Sequence, residues 1–243
     1  MSTSVTDARG ERSAQSPVHP ALPSAAAFAL TTAAAVGAAA VLAIAWAFHV
    51  TKGVSYKVLA QDVTVAAEVP IHVGMLSQFG LMVWAGAAAT ALTGGAAAYA
   101  AVRAAGRPAS DAAGCLLAAG VGSLILGVDD AFLMHEAGWK IPGVDESHVL
   151  PVYALAAAAW AIRYRRVLWQ ADRVPLALAG AFFAASVLTD KFVGGDRGLP
   201  IFLEDGAKLF GVAFWLAALF LLAIRTLAAA AGGTPAQNPG GAP

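Results

Sequence analysis

Charged side chains are scarce in this sequence. Asp, Glu, Lys and Arg together make up 12% of its 243 residues, whereas a typical soluble domain carries about 25%. Hydrophobic residues make up 59% of the chain, and they fall in long blocks. Mean hydropathy is +0.69. This composition argues against an ordinary soluble domain and indicates an integral membrane protein.

Cysteine pairs and an excess of charge of either sign are also lacking. Cys115 is the single cysteine, so an intramolecular disulfide is excluded, and no Cys-x-x-Cys or Cys/His zinc spacing is present. Acidic and basic residues balance at 15 each, which gives no reason to expect nucleic acid as a partner. The expected partner is the lipid bilayer. A lipid or small-molecule ligand, and an oligomer or partner subunit, stay open.

Six apolar segments dominate what is present. Each is close to or above the roughly 20 residues that a helix needs to cross about 30 Å of hydrocarbon, and backbone in lipid must be helical because no water satisfies it. The predicted fold is an all-α, polytopic bundle of six transmembrane helices at residues 22–229, between disordered cytoplasmic tails at 1–21 and 230–243. The segments are about Leu22–Val50, Ile71–Val102, Ala112–Trp139, Val149–Leu168, Val174–Phe192 and Leu199–Leu227.

Arginine placement predicts the orientation of these segments. The sequence RYRRVLWQADR, residues 163–173, follows the clean apolar run of the fourth segment. Loops rich in Lys and Arg stay in the cytoplasm. With this loop inside, both termini are cytoplasmic and most acidic residues lie on the outer side. We therefore predict a multi-pass protein of the cell membrane with both ends in the cytoplasm.

The stretch LGVDDAFLMHEAG, residues 126–138, places acids at the outer end of the third segment. At about 100° per residue, Asp129 and Glu136 share one helix face, and Asp130 points about 100° away toward a neighbouring helix. His135 points to the other flank. Ionisable groups near hydrocarbon need compensation and indicate a functional site by default. A simpler alternative is that these groups lie in the interface and only end the helix.

Helices five and six bring polar groups to the same depth. Counting along each helix from its arginine side puts Asp129, Asp190 and Lys208 at about 26 Å, given the rise of about 1.5 Å per residue. Glu204 lies one turn above Lys208, in the order that favours an ion pair. We therefore predict an outward-facing cup of acidic and histidine side chains on the third, fifth and sixth helices.

The motifs closest to this stretch are incomplete. A DDxxD diphosphate motif would need an acid at Leu133, and an HExxH zinc motif would need histidine at Trp139. The cup still predicts a divalent metal, namely iron, manganese or zinc, since these suit carboxylate and imidazole ligands. The predicted catalytic residues are Asp129, Glu136, Glu204 and Lys208, and the predicted metal ligands are Asp129, His135, Glu136 and Glu204.

Three functions fit this pattern. The first is a metal-dependent membrane enzyme that acts on a lipid or a small molecule at the cup. The second is a proton-coupled transporter, which is disfavoured because the inner half offers few polar groups, mainly Thr90, Thr93 and Ser123. The third is a non-catalytic accessory or structural membrane subunit, in which the cup is a layer of ion pairs.

Overall fold

The computed structural model describes residues 24–59, 75–132, 146–193 and 198–232, and within these ranges every regular element is a helix. The all-α prediction is confirmed. Segments three, five and six of the sequence correspond to helices α4, α7 and α8. In chain order the helices are α1 (Ser24–Lys52), α2 (Tyr56–Leu59), α3 (Met75–Ala104), α4 (Asp111–Phe132), α5 (Glu146–Arg163), α6 (Arg165–Gln170), α7 (Arg173–Val193) and α8 (Gly198–Ala231).

Five of these helices are long and apolar enough to cross a membrane: α1, α3, α4, α7 and α8. The apolar part of α5 is shorter and covers His148–Arg163. The fourth predicted segment is divided at Tyr164, which has φ −106° and ψ 18°. A helical membrane protein is therefore confirmed, while the count of six spans and the orientation stay predictions.

Helix ends follow local sequence signals. At the end of α3, Gly106 adopts φ 66°, and the amide of Arg107 donates to the carbonyl of Val102 at 2.9 Å. This is the left-handed glycine cap that closes many helices. At the start of α4, the Ser110 hydroxyl accepts a hydrogen bond from the amide of Ala113 at 3.2 Å. Ser is a favoured N-cap, so the turn between α3 and α4 is encoded locally.

Helix α8 is the centre of the bundle and packs against α1, α2, α3, α4 and α7. In its most apolar stretch 56% of the residues are buried inside the protein, compared with 6% for α1 and 11% for α7. Side chains of α1 and α7 are apolar but face outward, which suits lipid. Helix α8 therefore contacts nearly every other helix, and it contributes residues to both ends of the bundle.

Small residues allow α3 to approach its neighbours closely. A Cβ atom at Gly94 would lie 2.7 Å from the Cβ of Ala223 on α8, and one at Gly95 would lie 3.1 Å from the carbonyl oxygen of Ala113 on α4. Real Cβ contacts are longer than this, so only glycine fits here. The run of small residues at 86–101 therefore serves close helix packing, in agreement with the sequence.

Helices α3 and α8 begin at the end of the bundle at which α4 ends, and polar residues collect at the two ends of the bundle. At one end, called here the arginine end, Arg163 forms an ion pair with Asp111 at 3.1 Å and Arg225 forms one with Asp172 at 2.7 Å. At the opposite end, called here the acidic end, lie the last turns of α4 and the first turns of α3, α5 and α8. The predicted cup belongs to the acidic end.

Candidate functional site

The two adjacent aspartates near the end of α4 face different helices. Asp129 is buried, with 6% of its surface exposed, and accepts a hydrogen bond from the hydroxyl of Tyr153 on α5. Asp130 is turned toward α8 instead, where it meets Lys208. This division follows from the helix period, which separates consecutive side chains by about 100°. The DD pair therefore ties α4 to two neighbouring helices.

Lys208 of α8 is the cation at this site. Together with Asp129, Asp130, Glu204 and Asp205 it forms the group of charged side chains called here the ion-pair layer. Its Nζ lies 3.1 Å from Oδ1 of Asp130 and 3.8 Å from Oδ1 of Asp205. Both carboxylates are largely buried, and the lysine side chain is 32% exposed. Glu204, one turn before the lysine, adds attraction at longer range. The ammonium is thus held between an acid of its own helix and an acid of α4.

Little space remains beside the ammonium. The cavity there measures about 10 Å³, which is at the lower limit for one water molecule. Leu76, Leu209 and Val212 close its apolar side, and its polar lining consists of Ser77, Asp130, Asp205 and Lys208. Gly80 also contributes to the wall, where a Cβ would lie 3.8 Å from Oδ2 of Asp130.

The structure brings together only some of the residues predicted for the cup. Asp129, Glu204 and Lys208 lie at the acidic end as expected. Asp190 of α7 was predicted to join them, but its ion pair is with its neighbour Lys191 at 3.6 Å, and its side chain is 42% exposed. Helix α7 contributes no residue to the lining of the cavity beside Lys208. His135 and Glu136 lie outside the described residues.

Two residues at this site were not predicted from the sequence. Asp205 is three residues before Lys208, a spacing at which helical side chains meet, so its ion pair was open to prediction. Tyr153 carries no such signal, because a tyrosine near the start of an apolar helix is equally suited to the membrane interface. The contact of Asp130 with α8 agrees with its predicted direction toward a neighbouring helix.

The predicted metal site is only partly within the described residues. Among them, no group of three or more His, Cys, Asp and Glu side chains is placed to hold a metal ion. His49 is engaged otherwise: its Nδ1 lies 2.8 Å from the carbonyl oxygen of Val54, and its ring stacks on Tyr56. Because His135 and Glu136 are not among the described residues, metal binding stays a prediction.

Comparison with known proteins identifies a family but no activity. No curated protein and no solved structure matches the chain. The model of one family, described as Domain of unknown function (DUF8692), matches residues 33–222. This match runs from within α1 to within α8 and includes every residue of the ion-pair layer. The chain therefore belongs to the DUF8692 family.

Proposed function

We propose that this chain is a non-catalytic structural or accessory membrane protein, and that its acidic end is an ion-pair layer that holds α4, α5 and α8 in register. The observation that carries the proposal is the position of Lys208, whose ammonium lies between Asp130 and Asp205. A cation of the protein itself occupies the place that a bound ion would need.

The space at the site supports a structural role. Pockets for small molecules and cofactors measure about 300–1,000 Å³, whereas the cavity beside Lys208 measures about 10 Å³. A substrate would have to displace the lysine or separate the helices. Carboxylates in this position are costly without a partner, and the ammonium supplies one. The need to neutralise buried carboxylates is therefore enough to explain why Lys208 lies among them.

The polar groups farther along the helices do not favour transport. The Ser123 hydroxyl donates to the carbonyl of Ala119 at 2.8 Å and accepts from the indole of Trp215 at 2.9 Å. The Thr93 hydroxyl donates to the carbonyl of Ala89 at 2.6 Å. These side chains satisfy local backbone and packing needs. A proton path would need polar groups that are exposed to water and linked in series.

A metal-dependent enzyme is the second candidate, and Asp129 favours it. Its carboxylate is buried, and His135 and Glu136 follow six and seven residues later in the sequence. Iron, manganese or zinc would suit these ligands. Elemental analysis of the purified protein separates the candidates. One or two equivalents of metal, lost in a Glu136→Gln variant, would favour the enzyme.

Replacement of Lys208 tests the structural role. Removing one partner of a buried ion pair costs about 3–5 kcal/mol, and the partial exposure of this lysine reduces the effect by screening. We expect Lys208→Met to lower the free energy of unfolding by about 1–3 kcal/mol. Lys191→Met is the matched control, because Lys191 pairs with an exposed acid at 3.6 Å.

A double-mutant cycle shows whether the loss comes from the ion pair itself. The double variant combines Lys208→Met with Asp130→Asn. Lys208→Met leaves Asp130 without its cation, and Asp130→Asn then removes that negative charge. We expect the two losses to be less than additive by about 0.5–3 kcal/mol, measured by thermal or denaturant unfolding in detergent. Additive losses, or equal losses in Lys208→Met and Lys191→Met, would contradict the structural role.

A further inference from the structure

We propose that the arginine end of the bundle contains a binding site for the phosphate of an anionic phospholipid. The site is a cavity of about 370 Å³, far larger than the space at the acidic end. It lies where the C-terminal ends of α3 and α8 meet the start of α4 and the helix α6. Its cationic lining is formed by Arg107, Arg166 and Arg225.

The charges in this cavity are not balanced. Asp111 is the acid of its lining, and that carboxylate already accepts Arg163 at 3.1 Å. Arg225 is already held by Asp172 at 2.7 Å. Within the ranges that the structure describes, no ion pair engages Arg107 or Arg166. Two guanidinium groups are therefore left to bind an external anion.

Phosphate is the anion that this arrangement suits. A guanidinium group offers a planar fork of donors that matches two phosphate oxygens, and arginine is preferred wherever this geometry is recognised. Ser110 and Gln170 add polar groups to the wall. Basic pockets between transmembrane helices are a recognised binding place for anionic headgroups.

The rest of the wall favours a lipid over a free ion. Val102, Leu222, Ala229 and Ala230 line the cavity beside the arginines, and all four belong to helices long and apolar enough to span a membrane. A headgroup phosphate among the arginines would thus have apolar helix surface next to it for its glycerol and acyl chains. Free phosphate would gain nothing from that surface.

The test compares lipids and variants on the full chain purified in neutral detergent. Wild-type protein is titrated with phosphatidylglycerol, with phosphatidylcholine or with inorganic phosphate, and binding is followed by thermal unfolding and by native mass spectrometry. We expect phosphatidylglycerol to bind and to raise the unfolding temperature more than phosphatidylcholine does. Inorganic phosphate at millimolar concentration should neither stabilise the protein nor displace the lipid.

Paired variants locate the site. Arg107→Gln with Arg166→Gln should weaken phosphatidylglycerol binding at least tenfold, because each guanidinium that contacts the phosphate contributes a charge-assisted hydrogen bond. Arg103→Gln with Arg165→Gln removes the same charge from exposed neighbours outside the cavity and should bind as wild type. Arg166→Lys keeps the charge but loses the fork, so its binding should fall between the two.

Three outcomes would contradict a phospholipid site in this cavity. Equal loss of binding in both double variants would mean a general attraction of the basic surface for anionic lipid. Wild-type binding in the cavity variant would place the lipid elsewhere. Stabilisation by inorganic phosphate that matches phosphatidylglycerol would assign the cavity to a soluble anion. Circular dichroism of each variant confirms that it is folded, and these exposed changes should leave helicity unchanged.

Discussion

The two ends of the bundle both carry ion pairs between helices, but their surroundings differ. At the acidic end, Lys208 lies between two carboxylates and about 10 Å³ remains beside it. At the arginine end, Arg163 and Arg225 each hold one carboxylate, and a cavity of about 370 Å³ remains next to them. The same helices, above all α4 and α8, build both arrangements.

The ratio of cations to acids differs between the two ends. At the acidic end a single ammonium is shared by Asp130 and Asp205, and both carboxylates are largely buried. At the arginine end the cavity lining has more guanidinium groups than carboxylates. Arg107 and Arg166, which no acid of the described residues engages, are exposed. A closed cluster stabilises the bundle, whereas an open one is available to a ligand.

The largest expected effect concerns which end faces the cytoplasm. Reporter fusions placed after Arg107 and after Arg173 should both give a cytoplasmic signal, and a fusion after Lys140 should give an external one, because the arginine-rich segment at 163–173 is retained inside. The readout is all-or-none. An external signal after Arg173 would reverse the two ends and would place the lipid site in the outer leaflet.

The next largest effect concerns the close contact between α3 and α8 at Gly94. Gly94→Ala places a Cβ 2.7 Å from the Cβ of Ala223, which forces α3 and α8 apart. Overpacking of this kind costs about 1–3 kcal/mol, and we expect a corresponding fall in unfolding temperature in detergent. Gly180→Ala on α7 is the matched control, since a Cβ there meets nothing within 4 Å. A neutral Gly94→Ala variant would contradict the close approach of these helices.

Much of this fold follows from the sequence, because lipid leaves few choices. Apolar blocks of about 20 residues must become helices, and five of the predicted segments correspond to long apolar helices. The division of the fourth segment at Tyr164 was not predicted. Three arginines, Arg163, Arg165 and Arg166, surround that residue. They mark the end of the apolar run, but they do not reveal that a second short helix follows.

The candidate site was less predictable than the fold. Depth along a helix can be counted from the sequence, and Asp129 and Lys208 both lie at the acidic end, where Lys208 contacts Asp130. The direction in which a helix is rotated depends on packing against its neighbours, and Asp190 shows the consequence. Its ion pair is with Lys191 of its own helix. Periodicity defines which residues share a face but not which helix that face meets.

At the arginine end, Arg225→Gln should have an intermediate effect on stability. Its guanidinium group contacts Asp172 at 2.7 Å and the carbonyl oxygen of Gln170 at 3.0 Å, and both charged side chains are only about a fifth exposed. The variant leaves Asp172 half-buried without its cation. We expect a loss of about 1–2 kcal/mol, between the values for buried and exposed pairs. Adding Asp172→Asn should recover part of it, and a further loss in that double variant would contradict the pairing.

The smallest effect is expected for Arg163→Gln, although its distance to Asp111 equals that of Lys208 to Asp130, at 3.1 Å. The side chains of Arg163 and Asp111 are 61% and 64% exposed, and water screens such pairs to about 0–1 kcal/mol. The stacking of Arg163 on Tyr164 at 4.9 Å adds about 0.5 kcal/mol at an exposed site.

Salt separates this exposed pair from the enclosed one. At 1 M salt the screening length falls to about 3 Å, so the small loss in Arg163→Gln should almost vanish. The loss in Lys208→Met should largely persist, because the surrounding side chains keep ions away from the ammonium. Unfolding of both variants and of the wild type at low and high salt measures the contrast. If Arg163→Gln cost as much as Lys208→Met at either salt concentration, enclosure by the helices would not be what distinguishes the two ends.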